Sequence, residues 1–122
     1  MTEVSRILVL VFISSLAFFA RNPRDILTPN ELVTHGSVLE GKQVKVRGFV
    51  VITPHGRNIF DSKSSYEKGR GTCLGLSGSR QFTSKYRKRT ETLSGIFHQH
   101  LCGPNDICLY WCGDAGISVD PS

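Results

Sequence analysis

The residues of this chain that are best suited to binding chemistry form a run of positive charge in its second half. Residues 80–89, called the basic segment below, carry five basic side chains with two aromatic rings between them. Because clustered lysine and arginine side chains attract anions, we predict a loop that binds an anionic or acidic partner. Its candidate contact residues are Arg80, Lys85, Tyr86, Arg87, Lys88 and Arg89. The competing interpretation is a solvated loop that only keeps the protein soluble.

A second group of side chains could bind a metal ion. His98, His100 and Cys102 are spaced two residues apart, and two further cysteines follow within ten residues. In a strand this spacing places the three side chains on one face. No C-x-x-C pair is present, however, and an oxidising compartment favours disulfides over zinc thiolates. Zinc at these three residues is therefore an alternative, and the expectation is no metal and no cofactor.

The spacing of common catalytic motifs is missing from the chain. Residues 75–78 (GLSG) do not complete a G-x-S-x-G elbow, and the glycines at 69, 71 and 75 do not fit a dinucleotide or phosphate loop. A nucleophilic thiol at Cys73 would have to be unpaired, which a disulfide prevents. We predict that the protein is not an enzyme.

Length and composition limit the chain to one domain. It has 122 residues, of which 39% are hydrophobic and 20% charged, as in an ordinary globular domain. The formal net charge is +5. Residues 1–17 contain one acid and one base, so the positive charge belongs to the rest of the chain. A multidomain enzyme is excluded.

The N-terminus contains an uncharged apolar run at residues 7–20, ILVLVFISSLAFFA. It is shorter than the roughly 20 residues that span a bilayer, and Ser15-Leu16-Ala17 has the small-x-small pattern of a signal peptidase site. We predict a signal peptide at residues 1–17 and one exported domain at residues 18–122, periplasmic or secreted. Because Glu3 weakens the positive charge before the apolar run, an uncleaved membrane anchor at residues 7–20 is the alternative.

Local patterns predict one short helix and five strands. Thr28 to Glu31 fits a capping box, so a helix should begin at Thr28 and end before Gly36. Residues 41–52 alternate as a strand as far as Gly48 and then become continuously apolar, which predicts a glycine bulge and burial on both faces. Further strands are predicted at 58–60, 72–76, 91–100 and 107–112, with a polar connection at 62–71 that has room for one helical turn.

Five short strands without a long helix indicate a small closed barrel or sandwich. The stretch ELVTHGSVLEGKQVKVRGFVV, followed by IFDSKSSYEKGRGTCLGL and ETLSGIF, resembles the OB-fold domains of exported bacterial proteins of unknown function. The resemblance covers residues 28–97 and implies an all-β fold, a five-stranded OB-like barrel with a short N-terminal helix. The sequence departs from the pattern in its basic segment and in its cysteine-rich end.

The OB-like strand order implied by the resemblance also suggests how the four cysteines pair. The third strand of such a barrel lies beside the fifth, and strand parity places Cys73 on the same face as Cys108 and Cys112. Cys108 and Cys112 would be about 13 Å apart in a strand, beyond disulfide reach. We favour Cys73–Cys112 with Cys102–Cys108. The swapped pairing, Cys73–Cys108 with Cys102–Cys112, stays open.

Together these features predict an exported, non-enzymatic interaction module of the bacterial envelope. One candidate partner is an acidic envelope protein that contacts the basic segment. The other is an anionic polymer or lipid headgroup, such as polysaccharide, phospholipid or single-stranded nucleic acid. Export disfavours nucleic acid, and so does the wide scatter of Tyr66, Phe82 and Tyr86 compared with a stacking platform. Only an uncleaved N-terminal segment would contact the membrane.

Overall fold

The computed structural model describes residues 25–102 and 112–121. The predicted signal peptide and residues 107–111 of the predicted last strand lie outside this part of the chain. Within it, short helices connect the strands of a single sheet. The strands are β1 (Ile26–Leu27), β2 (Gln43–Thr53), β3 (Gly56–Phe60), β4 (Cys73–Ser77), β5 (Arg87–His98) and β6 (Gly116–Val119), and the helices are α1 (Pro29–Thr34), α2 (Gly36–Leu39), α3 (Lys63–Lys68) and α4 (Arg80–Thr83).

Strands β2 to β6 close into a five-stranded barrel. The order around the barrel is β2, β3, β4, β6 and β5, and β5 pairs again with β2. All neighbours are antiparallel except β4 and β6, which are parallel. The third barrel strand thus lies beside the fifth, which confirms the predicted OB-like, mostly all-β fold. The two-residue strand β1 adds to β2 in parallel outside the barrel.

The predicted capping box begins α1. The Thr28 hydroxyl oxygen accepts a hydrogen bond from the Glu31 backbone N–H at 3.1 Å, and the Glu31 carboxylate accepts one from the Thr28 N–H at 3.2 Å. Helix α1 ends before Gly36, as predicted, with His35 as its C-cap. The predicted role of Gly36 is wrong, because this residue is buried at the start of α2 and does not adopt a positive φ. Gly41, with φ 74°, supplies the left-handed residue after α2.

Gly48 does not form the bulge that the sequence predicts. The pairing of β2 with β5 runs without an inserted residue from Gln43–Ile96 to Ile52–Arg87. The predicted change in burial does occur, because every residue from Gly48 to Ile52 is buried. A glycine is required here because β3 approaches closely: a Cβ on residue 48 would lie 2.8 Å from Cγ1 of Ile59 and would overlap the Phe60 carbonyl oxygen.

Several strand boundaries were predicted incorrectly. Strand β2 begins at Gln43 instead of Gly41, β3 begins at Gly56 instead of Asn58, and both ends of β4 lie one residue later than predicted. Strand β5 begins at Arg87 instead of Glu91 and ends at His98 instead of His100. Its first residues are charged or polar and show no apolar alternation, so only pairing with β2 defines them. Of the predicted last strand, the described residue Cys112 lies in a turn, and the strand that closes the barrel is β6.

The barrel interior holds the hydrophobic core. Alternate residues of all five barrel strands point inward, and Leu32 of α1 packs against them with no exposed surface. Phe82 of α4 packs against the same core from another side. Within the described residues, no helix has the length and apolar character needed to cross a membrane.

A disulfide joins Cys73, at the start of β4, to Cys112, with their Cα atoms 5.3 Å apart. The favoured pairing is thus confirmed and the swapped arrangement is excluded, although Cys112 lies in a turn and not in the strand beside β4 that the parity argument assumed. Cys102 is also disulfide-bonded. Its predicted partner, Cys108, lies outside the described residues.

Candidate functional site

The basic segment is not the loop that the sequence predicts. Its first four residues form α4, which begins because the Ser79 hydroxyl oxygen accepts a hydrogen bond from the Phe82 N–H at 3.2 Å. Residues 84–86 turn the chain, and Arg87 to Arg89 already belong to β5. The segment therefore consists of a helical turn and a strand end whose positions are set by the barrel.

Arg87 makes most of its contacts inside the protein. Its Nε lies 2.5 Å from a carboxylate oxygen of Glu91, and its Nη1 donates to the carbonyl oxygens of Lys85 at 2.8 Å and Phe82 at 3.3 Å. The guanidinium carbon also lies 4.8 Å from the centre of the Phe82 ring. Only 12% of the side chain is exposed. Arg87 therefore holds α4 and the following turn against β5.

The other cations of the basic segment are more accessible and point to different sides. Arg89 is 65% exposed and lies 3.4 Å from the same Glu91 oxygen. Lys88, its neighbour in the strand, lies on the opposite face, with its ammonium 5.4 Å from the Tyr66 ring centre. Among the described residues, Lys85 and Arg80 have no ion-pair partner. The structure thus groups Lys85, Arg87 and Arg89 and separates Arg80 and Lys88 from them.

These three cations line a groove of about 410 Å³ between α4 and β5, called the α4–β5 groove below. Its apolar surface comes from three side chains of different elements, Phe82, Leu93 and Val119. Its acidic groups are Glu91 and Asp120. The groove therefore combines an apolar base with a charged rim, a composition that suits a partner with both apolar and charged groups.

The charges around the α4–β5 groove leave an excess of positive charge. Two guanidinium groups, those of Arg87 and Arg89, share the single Glu91 carboxylate. The Asp120 carboxylate accepts a hydrogen bond from the neutral side-chain amide of Gln43, so it keeps its negative charge, and the three cations exceed the two carboxylates of the groove by one charge. Lys85 is left without a counter-ion among the described residues. An incoming carboxylate would therefore find cations whose charge is only partly compensated.

Sequence reasoning missed Glu91, Leu93, Val119 and Asp120 as members of this site. Glu91 was detectable in principle, because it is an opposite charge that closely follows a basic run. Val119 and Asp120 carried no such signal, since they reach the groove only because β6 pairs with the far half of β5.

A smaller groove of about 160 Å³ lies on the other side of α4. Tyr86, 63% exposed, lines it together with Thr83 and with three residues at the β2–β3 hairpin, Thr53 of β2, Pro54 of the turn and Arg57 of β3. Tyr86 thus belongs to a different surface from Lys85, although the two residues are adjacent in the chain.

The three candidate zinc ligands do not form a metal site. The His98 Nδ1 lies 3.6 Å from a carboxylate oxygen of Glu40, and the His100 Nδ1 lies 3.6 Å from one of Asp114. Cys102 is bound in a disulfide, so it has no thiolate to offer. Strand β5 ends at His98, so the alternation that would align the three side chains stops there. In the described part of the chain, no group of three or more His, Cys, Asp or Glu residues is placed to hold a metal ion.

Comparison of the chain with protein-family models, with curated proteins and with solved structures finds no match. The strand order therefore identifies an OB-like architecture without identifying a family. Since one architecture hosts many unrelated functions, the function has to be argued from the groove itself.

Proposed function

We propose that this chain is an exported, non-enzymatic interaction module that binds an acidic protein partner through the α4–β5 groove. The observation that carries the proposal is the composition of the groove. Its apolar base of Phe82, Leu93 and Val119 lies beside Lys85 and Arg89, which are accessible and incompletely neutralised. A protein surface can offer apolar and acidic groups together, and such a surface complements both parts of the groove.

A uniformly anionic polymer or a lipid headgroup fits the same residues less well. Such a ligand requires several equivalent cations along one accessible face. Here Lys88 and Arg89 lie on opposite faces of β5, and Arg87 is largely buried against Glu91. The cations that are adjacent in the sequence are therefore not equivalent in the structure, which favours a shaped protein partner.

Export is proposed from two features of the chain. The apolar run with its small-x-small pattern predicts cleavage after Ala17. The Cys73–Cys112 disulfide is typical of proteins that reside in an oxidising compartment. Protein recovered from an exporting host should have an intact, non-reduced mass that lacks residues 1–17 and is about 4 Da below the reduced value. A full-length mass with unpaired thiols would contradict export.

Partner binding is tested by affinity capture from a bacterial envelope extract with three immobilised proteins. These are the wild type, the double variant Lys85→Glu/Arg89→Glu, and a control, Lys42→Glu/Lys45→Glu, with the same net charge. Both control positions are exposed and lie outside the groove. We expect one acidic protein, identified by mass spectrometry, to bind the wild type and the control and to be lost from the groove variant.

The salt dependence of that binding separates the proposal from its alternative. A protein partner should stay bound when salt rises from about 50 to about 200 mM, because apolar contact contributes. Capture of polysaccharide or phospholipid that disappears over this range, with equal losses in both charge-reversed variants, would overturn the protein-partner proposal in favour of an anionic polymer or lipid.

A further inference from the structure

Strand β5 has an open edge along the α4–β5 groove. On one side, β5 pairs with β2 from Arg87 to Ile96. On the other side, it pairs with β6 only from Gly95 to His98, and the last contact of that ladder is the Asp120 N–H donating to the Ser94 carbonyl oxygen at 2.9 Å. Among the described residues, no strand pairs with this second side of β5 before Ser94.

The backbone groups on this open edge can be assigned to particular residues. In an antiparallel ladder, the N–H and C=O of one residue point to the same neighbour, and successive residues alternate between neighbours. The Phe97 N–H donates to Lys42 on the β2 side, whereas the Ser94 carbonyl accepts on the β6 side. By this alternation, Thr92, Thr90 and Lys88 direct their backbone groups away from β2. All three residues are exposed.

The open edge and the groove overlap at Thr92, whereas Lys88 and Thr90 of the edge do not line the groove. Consecutive residues from Glu91 to Ser94 line the groove, as expected where a strand presents its backbone edge. The opposite side of the groove is formed by α4, which Arg87 fixes through the carbonyl oxygens of Phe82 and Lys85. An added strand would therefore enter a space that is already formed, which lowers the cost of ordering the groove.

The charges beside the edge indicate which chain would pair with it. Side chains of an added strand would alternate between the groove, with Lys85 and Arg89, and the outer surface of β5, with Lys88 and Arg47. Cations therefore lie on both faces. Exposed lysines also oppose the pairing of a sheet edge with most other strands. An acidic strand is the exception, because its charge is opposite.

We propose that the α4–β5 groove binds an extended acidic segment of the partner, which adds as a strand to the edge of β5 from Lys88 to Thr92. This inference rests on the proposed function, since it specifies how the acidic partner is held. Backbone hydrogen bonds to Lys88, Thr90 and Thr92 would supply affinity, and Lys85 and Arg89 would select acidic side chains.

The test uses the mature domain and a short synthetic peptide in which glutamate alternates with valine. A second peptide has the same side chains but carries a methyl group on every backbone nitrogen, so it keeps its charge and cannot donate to the edge. We expect the first peptide to bind and the methylated one to bind at least about tenfold more weakly, because several hydrogen bonds are lost. Lys85→Glu should also weaken binding, and Lys45→Glu, the matched control, should not.

Amide hydrogen exchange provides a second measurement. It reports hydrogen bonding of the edge amides, which electrostatic attraction between side chains alone would not produce. The amides of Lys88, Thr90 and Thr92 should exchange more slowly with the peptide bound. Those of Arg89 and Glu91, which already face β2, should stay as they are. Equal binding of both peptides with unchanged exchange at Thr90 and Thr92 would overturn strand addition, while a selective loss in Lys85→Glu would still support the proposed function. If neither peptide binds, or if Lys85→Glu and Lys45→Glu weaken binding equally, the result would count against both proposals.

Discussion

Arg87 and Arg89 lie two residues apart on β5 and contact the same carboxylate, but their surroundings differ. Arg87 is 12% exposed, and its guanidinium also bonds two backbone carbonyl oxygens and lies against the Phe82 ring. Arg89 is 65% exposed, and within the described part of the chain its side chain forms an ion pair with Glu91 alone. A largely buried, multiply bonded guanidinium stabilises a fold, whereas an exposed ion pair contributes little. We therefore assign Arg87 to the architecture of the groove, whereas Arg89 is accessible to the proposed partner.

This difference can be measured by replacing each arginine with alanine. Arg87→Ala should lower the free energy of unfolding by about 1–3 kcal/mol, because Glu91 and the carbonyl oxygens of Phe82 and Lys85 lose a donor. Arg89→Ala, the control with the same chemical change and the same carboxylate partner, should stay within about 0.5 kcal/mol of the wild type. Urea unfolding of both variants gives the two values. Equal losses would show that Arg87 is not a structural residue.

At the scale of elements, the long strands β2 and β5 depend on glycine where a neighbouring strand passes close by. Gly48 of β2 faces the backbone of β3, and Gly95 of β5 faces the backbone of β6. A Cβ on residue 95 would lie 2.7 Å from Cγ2 of Ile117 and would overlap the Ser118 carbonyl oxygen. These obstacles are backbone atoms in a closed barrel, which cannot move aside as a flexible side chain can.

Alanine substitutions test this role of glycine. Gly48→Ala should destabilise the protein by about 1–3 kcal/mol, because the added methyl group overpacks the barrel. Gly36→Ala is the matched control. A Cβ at position 36 would meet only the side chain of Gln99, at 2.9 Å from its Nε2, and that side chain can rotate away. Thermal melts should show a lower midpoint for Gly48→Ala alone. A Gly48→Ala midpoint at the wild-type value would exclude the close approach of β3.

At the scale of the whole molecule, closure of the barrel depends on the parallel pair β4 and β6. These strands meet through residues distant in sequence, such as Gly75 and Gly116, so their pairing carries a loop-closure cost. The Cys73–Cys112 disulfide lies next to this pair and spans 39 residues. By restricting the unfolded chain, it offsets much of that cost.

Removal of this disulfide should therefore have a large effect. The double variant Cys73→Ser/Cys112→Ser is expected to lose about 4 kcal/mol of unfolding free energy on the chain-entropy model, a large share of the total for a domain of this size. Urea unfolding followed by circular dichroism measures the change, and the wild type without reductant is the reference. An unfolding midpoint equal to that of the wild type would show that the bridge adds nothing to closure of the barrel.

Short-range features of the sequence were sufficient for several parts of this fold. The capping box at Thr28 sets the start of α1, because the cap and its partner Glu31 are three residues apart. Apolar alternation defines β2, since one face of that strand is buried up to Gly48. The resemblance to OB-fold domains led to the barrel, and strand parity narrowed the partner of Cys73 to Cys108 or Cys112 without deciding between them.

The candidate site was only partly predictable, because it depends on contacts between residues that are distant in the sequence. The cations of the basic segment are visible in the sequence, but their separation is not, because it depends on which face of β5 each side chain occupies. Strand β5 begins at Arg87 because Ile52 and Val50 of β2 lie opposite its charged residues. Val119 and Asp120 reach the groove through the pairing of β6. The sequence alone thus determined the local caps, the alternating strand and the positive charge. Only long-range strand pairing, which places distant residues side by side, decided the groove and its open edge.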